Sequence, residues 1–164
     1  LADRNAVLLH SAAVIINGCG FVFVGHSESG KSTTMELLKT ARRERGVDAE
    51  ILCDDRNVLR KWPDGWRVHG TWSHGDIDEV SPDDAPLCGV CFLKQEQLNE
   101  IIPLEDRKLI WKSLLATLIR PMVTARWWVK ELDTLEELIN EIPFYTMNFD
   151  KTGGIIPELE RIVR

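Results

Sequence analysis

The sequence predicts a mixed α/β domain, because β-branched strand-like runs, one amphipathic helix and a strand–loop–helix motif follow one another along the chain. Its 164 residues are 44% hydrophobic, which suffices to bury one core. A chain of this length is typical of a single domain, here spanning 1–164. Because the sequence starts with Leu1 and enters an apolar run almost at once, we expect an N-terminal part of the full protein to be missing.

The first predicted elements are two strands joined by a tight turn. Residues Val7–Ile16 are rich in β-branched and apolar side chains and end at Asn17-Gly18, which is a strong hairpin signal. The returning strand, Cys19–Val24, runs directly into a glycine-rich segment. The sequence therefore predicts a hairpin that leads into a loop.

Strands and helices alternate through the rest of the chain. A helix is predicted from Ser32 to Arg45, where Gly46 follows as a stop signal. The later predicted elements are a strand at 49–53, a hairpin of 56–62 and 66–69 about Pro63-Asp64-Gly65, a surface loop at 70–86, a strand at 87–93, a helix at 105–119, a helix that begins with capping-box spacing at Thr134 and ends near Ile142, a strand at 144–149 and a helix at 157–163.

The segment Gly25–Ser32 reads GHSESGKS and satisfies G-x-x-x-x-G-K-[ST], the pattern of a phosphate-binding loop. Between a strand and a helix, its backbone N–H groups and the helix N-terminus can face an anion. Lys31 would reach the β- and γ-phosphates, and Ser32 would hold Mg²⁺ by its hydroxyl. We therefore predict ATP and Mg²⁺ as cofactors, bound by Gly25, His26, Ser27, Glu28, Ser29, Gly30, Lys31, Ser32 and Thr33; a glycine-rich turn with a chance lysine is the alternative.

Two carboxylates follow the predicted strand at 49–53. One at the end of a strand can orient Mg²⁺, and a second can accept a proton from an attacking hydroxyl. We predict Asp54 as a metal ligand and Asp55 as the catalytic base; the alternative is that both begin a turn.

His10 lies in the first strand of the predicted hairpin. If the antiparallel pairing is continued from the turn at Asn17-Gly18, His10 falls opposite Gly25. This position leaves a role beside the phosphates and a structural role equally open.

Composition argues against several classes of partner. The chain has 26 acidic and 20 basic residues, a net charge of −6, and so lacks the basic face that nucleic-acid binding requires. No apolar stretch reaches the roughly 18 residues of a membrane-spanning helix, and no charged-then-apolar run before a small-residue cleavage site is found in these residues. We expect a cytoplasmic protein with neither nucleic acid nor membrane as a partner.

The four cysteines include Cys88 and Cys91, whose spacing fits a thiol pair. On a strand, side chains three residues apart point to opposite faces, so this pair would chelate a metal poorly. We predict small core residues at these positions. Unpaired cysteines also fit a reducing compartment.

The chain resembles the catalytic domain of the HPr kinase/phosphorylase family, on the evidence of Leu9-His10, the hairpin, GHSESGKS and the run Leu52-Cys53-Asp54-Asp55-Arg56. Most phosphate-loop proteins lack the preceding hairpin, which this family shares with phosphoenolpyruvate carboxykinases. The resemblance implies a P-loop domain of that type, with a mixed central sheet and a hairpin leading into the P-loop. It also implies a compact member without the regulatory N-terminal domain.

Roles follow from the resemblance by matching position: Lys31, Asp55 and His10 as catalytic residues, and Ser32 and Asp54 as metal ligands. Arg67 stands where the family has a glutamate metal ligand, so ligation must fall on Asp54 or on Asp76. This departure argues against HPr itself as the acceptor. No arginine at the transferring group is assignable by motif; Arg120 and Arg126 are weak candidates, and surface positions suit both better.

Three functions remain open from the sequence. The first is a Mg-ATP-dependent kinase that phosphorylates a hydroxyl, most readily a serine of a protein or peptide, with Trp72 as a residue that could contact the acceptor. The second is a small-metabolite kinase of the same fold. The third is a non-catalytic ATP-binding switch or assembly module, which would tolerate Asp55→Asn where the kinases would not. Each is compatible with a homo-oligomer.

Overall fold

The computed structural model describes residues 1–26, 28–120 and 124–163, and it has the mixed α/β architecture that the sequence predicts. These residues form nine strands in one sheet and four α-helices. In chain order they are β1 (Ala6–His10), β2 (Ala12–Ile16), β3 (Cys19–Val24), α1 (Lys31–Arg45), β4 (Ala49–Cys53), β5 (Arg56–Trp62), β6 (Gly65–His69), β7 (Asp84–Gln95), β8 (Glu100–Pro103), α2 (Arg107–Thr117), α3 (Ala125–Glu141), β9 (Phe144–Phe149) and α4 (Ile155–Ile162).

The sheet runs in the order β1-β5-β6-β7-β3-β2-β4, and β9 pairs with both β7 and β8. Strand β7 is parallel to β3 and to β9, whereas the other neighbouring pairs are antiparallel. Because β2 is antiparallel to both β3 and β4, the carboxyl ends of β3, β4, β7 and β9 lie at one edge of the sheet. Sites in α/β folds form outside such carboxyl ends.

Each face of the sheet carries its own hydrophobic core. Strand β3 illustrates the division, because Phe21 and Phe23 belong to one core while Val22 and Val24 belong to the other. Helices α1 and α4 cover the first core with residues such as Met35 and Ile156. Helices α2 and α3 cover the second. The alternation of strand side chains between faces thus recruits one helix pair to each side.

Two of the predicted elements were wrong in extent. The predicted strand Val7–Ile16 is two strands, because the chain breaks at Ser11 and β1 pairs with β5 while β2 pairs with β3. The predicted helix start at Thr134 lies inside α3, which begins after Thr124. There the Thr124 hydroxyl caps the Trp127 N–H, while the Thr134 hydroxyl bonds back to the Lys130 carbonyl. Strand β8 was not predicted.

The hairpin before the glycine-rich segment was predicted correctly. Strands β2 and β3 pair from Ala12↔Phe23 to Ile16↔Cys19, and Asn17 and Gly18 both have positive φ, at 49° and 79°. Such angles at both central residues are typical of the two-residue hairpin turn.

The expectation of unpaired cysteines was wrong for two of the four. Cys19, at the start of β3, and Cys88, on the neighbouring strand β7, form a disulfide. Cys53 and Cys91 are free and buried, and burial raises the pKa of the Cys91 thiol to about 12. Cys88 and Cys91 both pack against the core that α1 and α4 cover, so the prediction that they point to opposite faces was wrong. The physical reason is a register shift of β7 against β3 between Gly20↔Leu87 and Phe21↔Gly89, which interrupts the alternation of side chains.

In the described part of the chain, none of the helices combines the length and the apolar character that crossing a membrane would need.

Candidate functional site

A cavity of about 530 Å³ opens at the edge of the sheet where β3, β4 and β7 end. It contains all three residues predicted to be catalytic. The lining residues are His10, Glu28, Gly30, Lys31, Ser32, Thr33, Asp54, Asp55, Gly75, Asp76 and Gln95. They come from the segment after β3, the segment after β4, the end of β1, the end of β7 and the loop that precedes β7.

The segment Gly25–Ser32, called the motif loop from here on, contributes a buried cation. Lys31 is only 9% exposed, and its Nζ donates to the carbonyl oxygens of Gly25 at 3.0 Å and His26 at 3.3 Å. Burial lowers the pKa of Lys31, and the charges of Asp55 and Asp54 partly oppose that shift. The loop thus folds back on its own lysine, which puts a positive charge inside the cavity.

The conformation of the motif loop depends on Gly30. This residue has a φ of +101°, and a Cβ atom there would lie 2.5 Å from Cζ of Phe149. A glycine is required both by the backbone angle and by the close approach to β9. Glu28 also has a positive φ, 67°, and its carbonyl oxygen accepts a hydrogen bond of 2.8 Å from Gln95 Nε2.

The predicted nucleotide-binding residues of the motif loop divide between two cavities. Glu28, Gly30, Lys31, Ser32 and Thr33 line the main cavity. By contrast, Gly25, His26 and Ser29 line a second, more apolar cavity of about 230 Å³ against β7 and α2. Ser27 lies outside the described residues.

Asp55 is the best-connected acid of the site. Its Oδ1 lies 3.0 Å from His10 Nδ1, and its Oδ2 accepts a hydrogen bond of 2.6 Å from the Ser73 hydroxyl. Arg56 Nε approaches the same Oδ2 at 3.4 Å. The Asp55 side chain remains 21% exposed, so it is held in place without being sealed from the cavity.

Asp54 is instead turned into the protein and is 4% exposed. Its Oδ1 accepts from the Gly75 N–H at 2.5 Å, and its Oδ2 accepts from the Ile77 N–H at 2.9 Å. It therefore fixes the loop at 70–83 to the end of β4. That loop brings Asp76 to the motif loop, where its Oδ2 accepts a hydrogen bond of 3.0 Å from the Ser32 hydroxyl.

A fully buried asparagine, Asn57, holds the junction behind these acids. Its Nδ2 donates to the Ser11 carbonyl at 2.7 Å and to the Cys53 carbonyl at 3.3 Å. The Ser11 N–H in turn donates to the Asp55 carbonyl at 3.0 Å. These bonds connect the break after β1 to the end of β4, which is why His10 and Asp55 meet.

The predicted register of His10 was wrong, although the residue does lie in the cavity. Continuing the hairpin would place His10 opposite Gly25, but the chain leaves that hairpin at Ser11 and His10 pairs with Arg56 of β5. Strand β1 therefore brings the imidazole to Asp55 by a different route from the one predicted.

Arg67 and the two arginine candidates, Arg120 and Arg126, lie outside the cavity among other contacts. Arg67 Nε donates to the Asp84 carboxylate. The Arg120 guanidinium lies 5.8 Å from the Trp128 ring, and Arg126 is exposed at the start of α3. Trp72 is 89% exposed and immediately precedes Ser73 in the loop at 70–83.

The donor set suits a magnesium ion that shares its ligands with a nucleotide. Among the described residues, no group of three or more His, Cys, Asp or Glu side chains is placed to hold a metal by itself. Magnesium in nucleotide sites needs fewer, because one or two protein oxygens are completed by phosphate oxygens and water. The Ser32 hydroxyl and the Asp76 carboxylate, 3.0 Å apart, meet that requirement.

Three site residues were not predicted from the sequence: Ser73, Gln95 and Asn57. Gln95 could have been found, because it ends β7, a strand parallel to β3, and such ends share an edge of the sheet. Asn57 lies in no motif, and Ser73 lies in a segment, Gly70–Gly75, that resembles the family but gives that serine no role. Their positions depend on hydrogen bonds to residues 18 and 46 positions away in the chain.

Comparison with known proteins finds similarity to solved structures but no match by sequence. No family model matches the sequence, and no curated protein matches it. Among solved structures, the chain is similar to the Hpr(Ser) kinase/phosphatase from Coxiella burnetii, with 15% sequence identity, 96% of this chain and 93% of that chain covered, and a TM-score of 0.49. Membership of that family stays a prediction from the motifs.

Proposed function

We propose that this protein is a Mg-ATP-dependent kinase that transfers the γ-phosphoryl group to a hydroxyl, most readily a serine of a protein or peptide. The observation that carries the proposal is the geometry at Asp55. Its carboxylate is hydrogen-bonded to a serine hydroxyl, is held by His10, and lines the same cavity as the buried ammonium group of Lys31. A base, a hydroxyl and a cation arranged together suit phosphoryl transfer.

The motif loop supplies the positive side of the site. Lys31 and the N-terminus of α1 would neutralise charge on the phosphates of bound ATP, and a buried cation acts more strongly than one in water. Magnesium, when bound, would neutralise charge on the phosphates and be held by Ser32 and Asp76. Asp54, with both oxygens accepting backbone N–H groups, then serves mainly to position the loop that carries Asp76.

Asp55 acts as the general base and His10 as its positioning residue. Asp55 Oδ2 already accepts a hydrogen bond from the Ser73 hydroxyl. The same oxygen would therefore take the proton from the hydroxyl that is phosphorylated. The imidazole of His10 holds Oδ1 and so fixes the orientation of the carboxylate. General-base catalysis of this kind contributes about 10²-fold or more in rate.

A macromolecular acceptor is favoured by Trp72. An indole that is 89% exposed beside the site offers a large apolar contact, of the kind enriched at the centre of protein interfaces. We infer a protein or peptide acceptor.

The test uses γ-labelled ATP, Mg²⁺ and a library of serine-containing peptides, with wild type beside Asp55→Asn. We expect label on peptides with wild type, and about 10²-fold less with the variant, while both bind ATP equally by calorimetry. If both proteins bind ATP but neither transfers label to peptide, protein or small molecule, the kinase proposal is wrong and a nucleotide-binding switch takes its place.

A further inference from the structure

Ser73 lies where an acceptor hydroxyl would lie. Its Oγ donates a hydrogen bond of 2.6 Å to Asp55 Oδ2, within the range of a good O–H···O bond. A general base must be within hydrogen-bond reach of the proton it removes. The chain thus presents one of its own serines to the carboxylate that we propose as the base.

The contact is held from both sides of Ser73. Before it, the Thr71 hydroxyl donates to the Arg56 carbonyl at 2.6 Å and accepts from the Ser73 N–H at 3.2 Å. After it, the Gly75 N–H donates to Asp54. The Ser73 carbonyl also accepts a 2.7 Å hydrogen bond from the Cys53 thiol. The backbone on either side is therefore fixed to β4 and β5, which places the serine hydroxyl at Asp55.

The same loop reaches the phosphate side of the cavity. Three residues after Ser73, Asp76 accepts the hydrogen bond of Ser32, which directly follows Lys31 in the motif loop. Asp55, Asp76, Lys31 and Ser32 all line one cavity. A loop that touches both the base and the motif loop has its serine close to where the end of a bound triphosphate would lie.

We propose that Ser73 is a phospho-acceptor of its own chain, modified in cis by this site; the proposal rests on the proposed kinase function. The bond that forms joins Ser73 Oγ to the γ-phosphorus of a nucleoside triphosphate. The bond that breaks joins that phosphorus to the bridging oxygen, so a nucleoside diphosphate leaves. The hydroxyl proton passes to Asp55 Oδ2. Nothing is oxidised or reduced.

The test incubates the purified chain with ATP and Mg²⁺ in the presence of the serine peptide library. Intact mass and fragmentation then locate any phosphoryl group on the protein. We expect one group on Ser73, formed with a first-order rate constant that does not change over a dilution series. The Ser73→Ala variant should not be phosphorylated at this position. The matched control is Ser81→Ala in the same loop, where the hydroxyl accepts a hydrogen bond from the Asp83 N–H. This control should still be phosphorylated on Ser73.

A second measurement needs no nucleotide. Amide hydrogen exchange across residues 71–75 should be faster in Ser73→Ala than in wild type, because the bond to Asp55 is lost, and Ser81→Ala should leave those amides unchanged. Equal exchange in Ser73→Ala and wild type would mean that the bond is absent in solution, and the proposal would then fall.

The outcomes separate this inference from the proposed function. Peptide labelling without phosphate on Ser73 overturns the inference and leaves the kinase proposal standing. Phosphate on Ser73 at a rate that rises with protein concentration overturns transfer in cis. The absence of transfer to protein, peptide or small molecule overturns both. Because sites are mapped on the wild-type chain, the result does not depend on the folding of any variant.

Discussion

One part of the cavity comes from a single continuous segment, the motif loop with the first turn of α1, whereas the rest is assembled from pieces. The assembled part, called the acidic wall, consists of His10 from β1, Asp54 and Asp55 after β4, and Asp76 from the loop at 70–83. In the motif loop, the ammonium group of Lys31 donates hydrogen bonds to carbonyl groups of the same loop, five and six residues away in the chain. The acidic wall depends on contacts that span 18 to 45 residues.

The difference teaches how the two parts should respond to mutation. Because Lys31 bonds to carbonyl groups of its own loop, its side chain can be changed without disturbing a distant segment, so loss of function and loss of stability should be separable there. In the acidic wall, one carboxylate both shapes a loop and places other site residues, so the two losses should occur together.

The largest effect is expected for Lys31→Met. Removing a preorganised positive group at a transferring phosphoryl group costs about 10²–10³-fold in rate. Stability should change little, because methionine fills similar space, the buried charge is lost, and water can bind the carbonyl groups of Gly25 and His26, neither of which is buried. Single-turnover transfer and thermal unfolding measure the two quantities.

The matched control for that experiment is Lys39→Met on the same helix, where the ammonium group pairs with Glu36 at the surface. We expect both its rate and its stability to stay near those of wild type. A Lys31→Met variant that transferred phosphate as fast as this control would refute the assigned role of the motif loop.

A smaller effect, on stability and rate together, is expected for Asp54→Asn. The amide places an NH₂ group against one of the two backbone N–H donors, Gly75 or Ile77, and leaves that donor unsatisfied. Such a loss costs about 1–3 kcal/mol. Urea unfolding should show the cost, and amide exchange at residues 75 and 77 should become faster.

Asp78→Asn provides the control, because Asp78 is exposed in the same loop. Its stability should remain within about 0.5 kcal/mol of wild type, as for other surface substitutions. Similar stabilities for the two variants would show that Asp54 does not anchor the loop, and the contrast between the two parts of the cavity would lose its basis.

The smallest effect, with the opposite sign, is expected for Glu131→Gln in α3. Glu131 is 2% exposed, and among the described residues its Oε2 has no hydrogen-bond partner, unlike the buried carboxylate of Asp54. Burial raises the pKa of Glu131 above its usual 4.5. The charged form is therefore penalised in the folded state, and the variant should be more stable at neutral pH by about 1 kcal/mol.

The pH dependence of that gain follows from the raised pKa. The native contribution of Glu131 is fully present below pH 4.5 and is lost as pH rises through the higher folded-state pKa. Wild type and Glu131→Gln should therefore have equal stability in acid and diverge toward neutral pH. Glu136→Gln, at an exposed position of the same helix, should show no such divergence in urea unfolding followed across pH.

Much of the fold was predictable because its signals are local. The turn at Asn17-Gly18, the helix stop at Gly46 and the strand pattern at 144–149 each depend on residues adjacent in the chain. The split at Ser11 was not predictable, since an apolar run through that residue reads as one strand. What divides it is a pair of bonds, from Asn57 to the Ser11 carbonyl and from the Ser11 N–H to Asp55.

In the candidate site, too, the features that depend on neighbouring residues were predictable and those that depend on distant contacts were not. The sequence by itself determined the motif loop, since the glycine at 30 and the lysine at 31 are required by backbone angle and charge within a few residues. The sequence also predicted Asp54 and Asp55 as site residues, but it did not indicate that the two side chains would have different hydrogen-bond partners. Only the tertiary structure decided these partners. Asp54 accepts hydrogen bonds from backbone N–H groups, whereas Asp55 contacts His10 and Ser73. The reason is that all of these partners lie on other strands and loops, distant from the two acids in the chain.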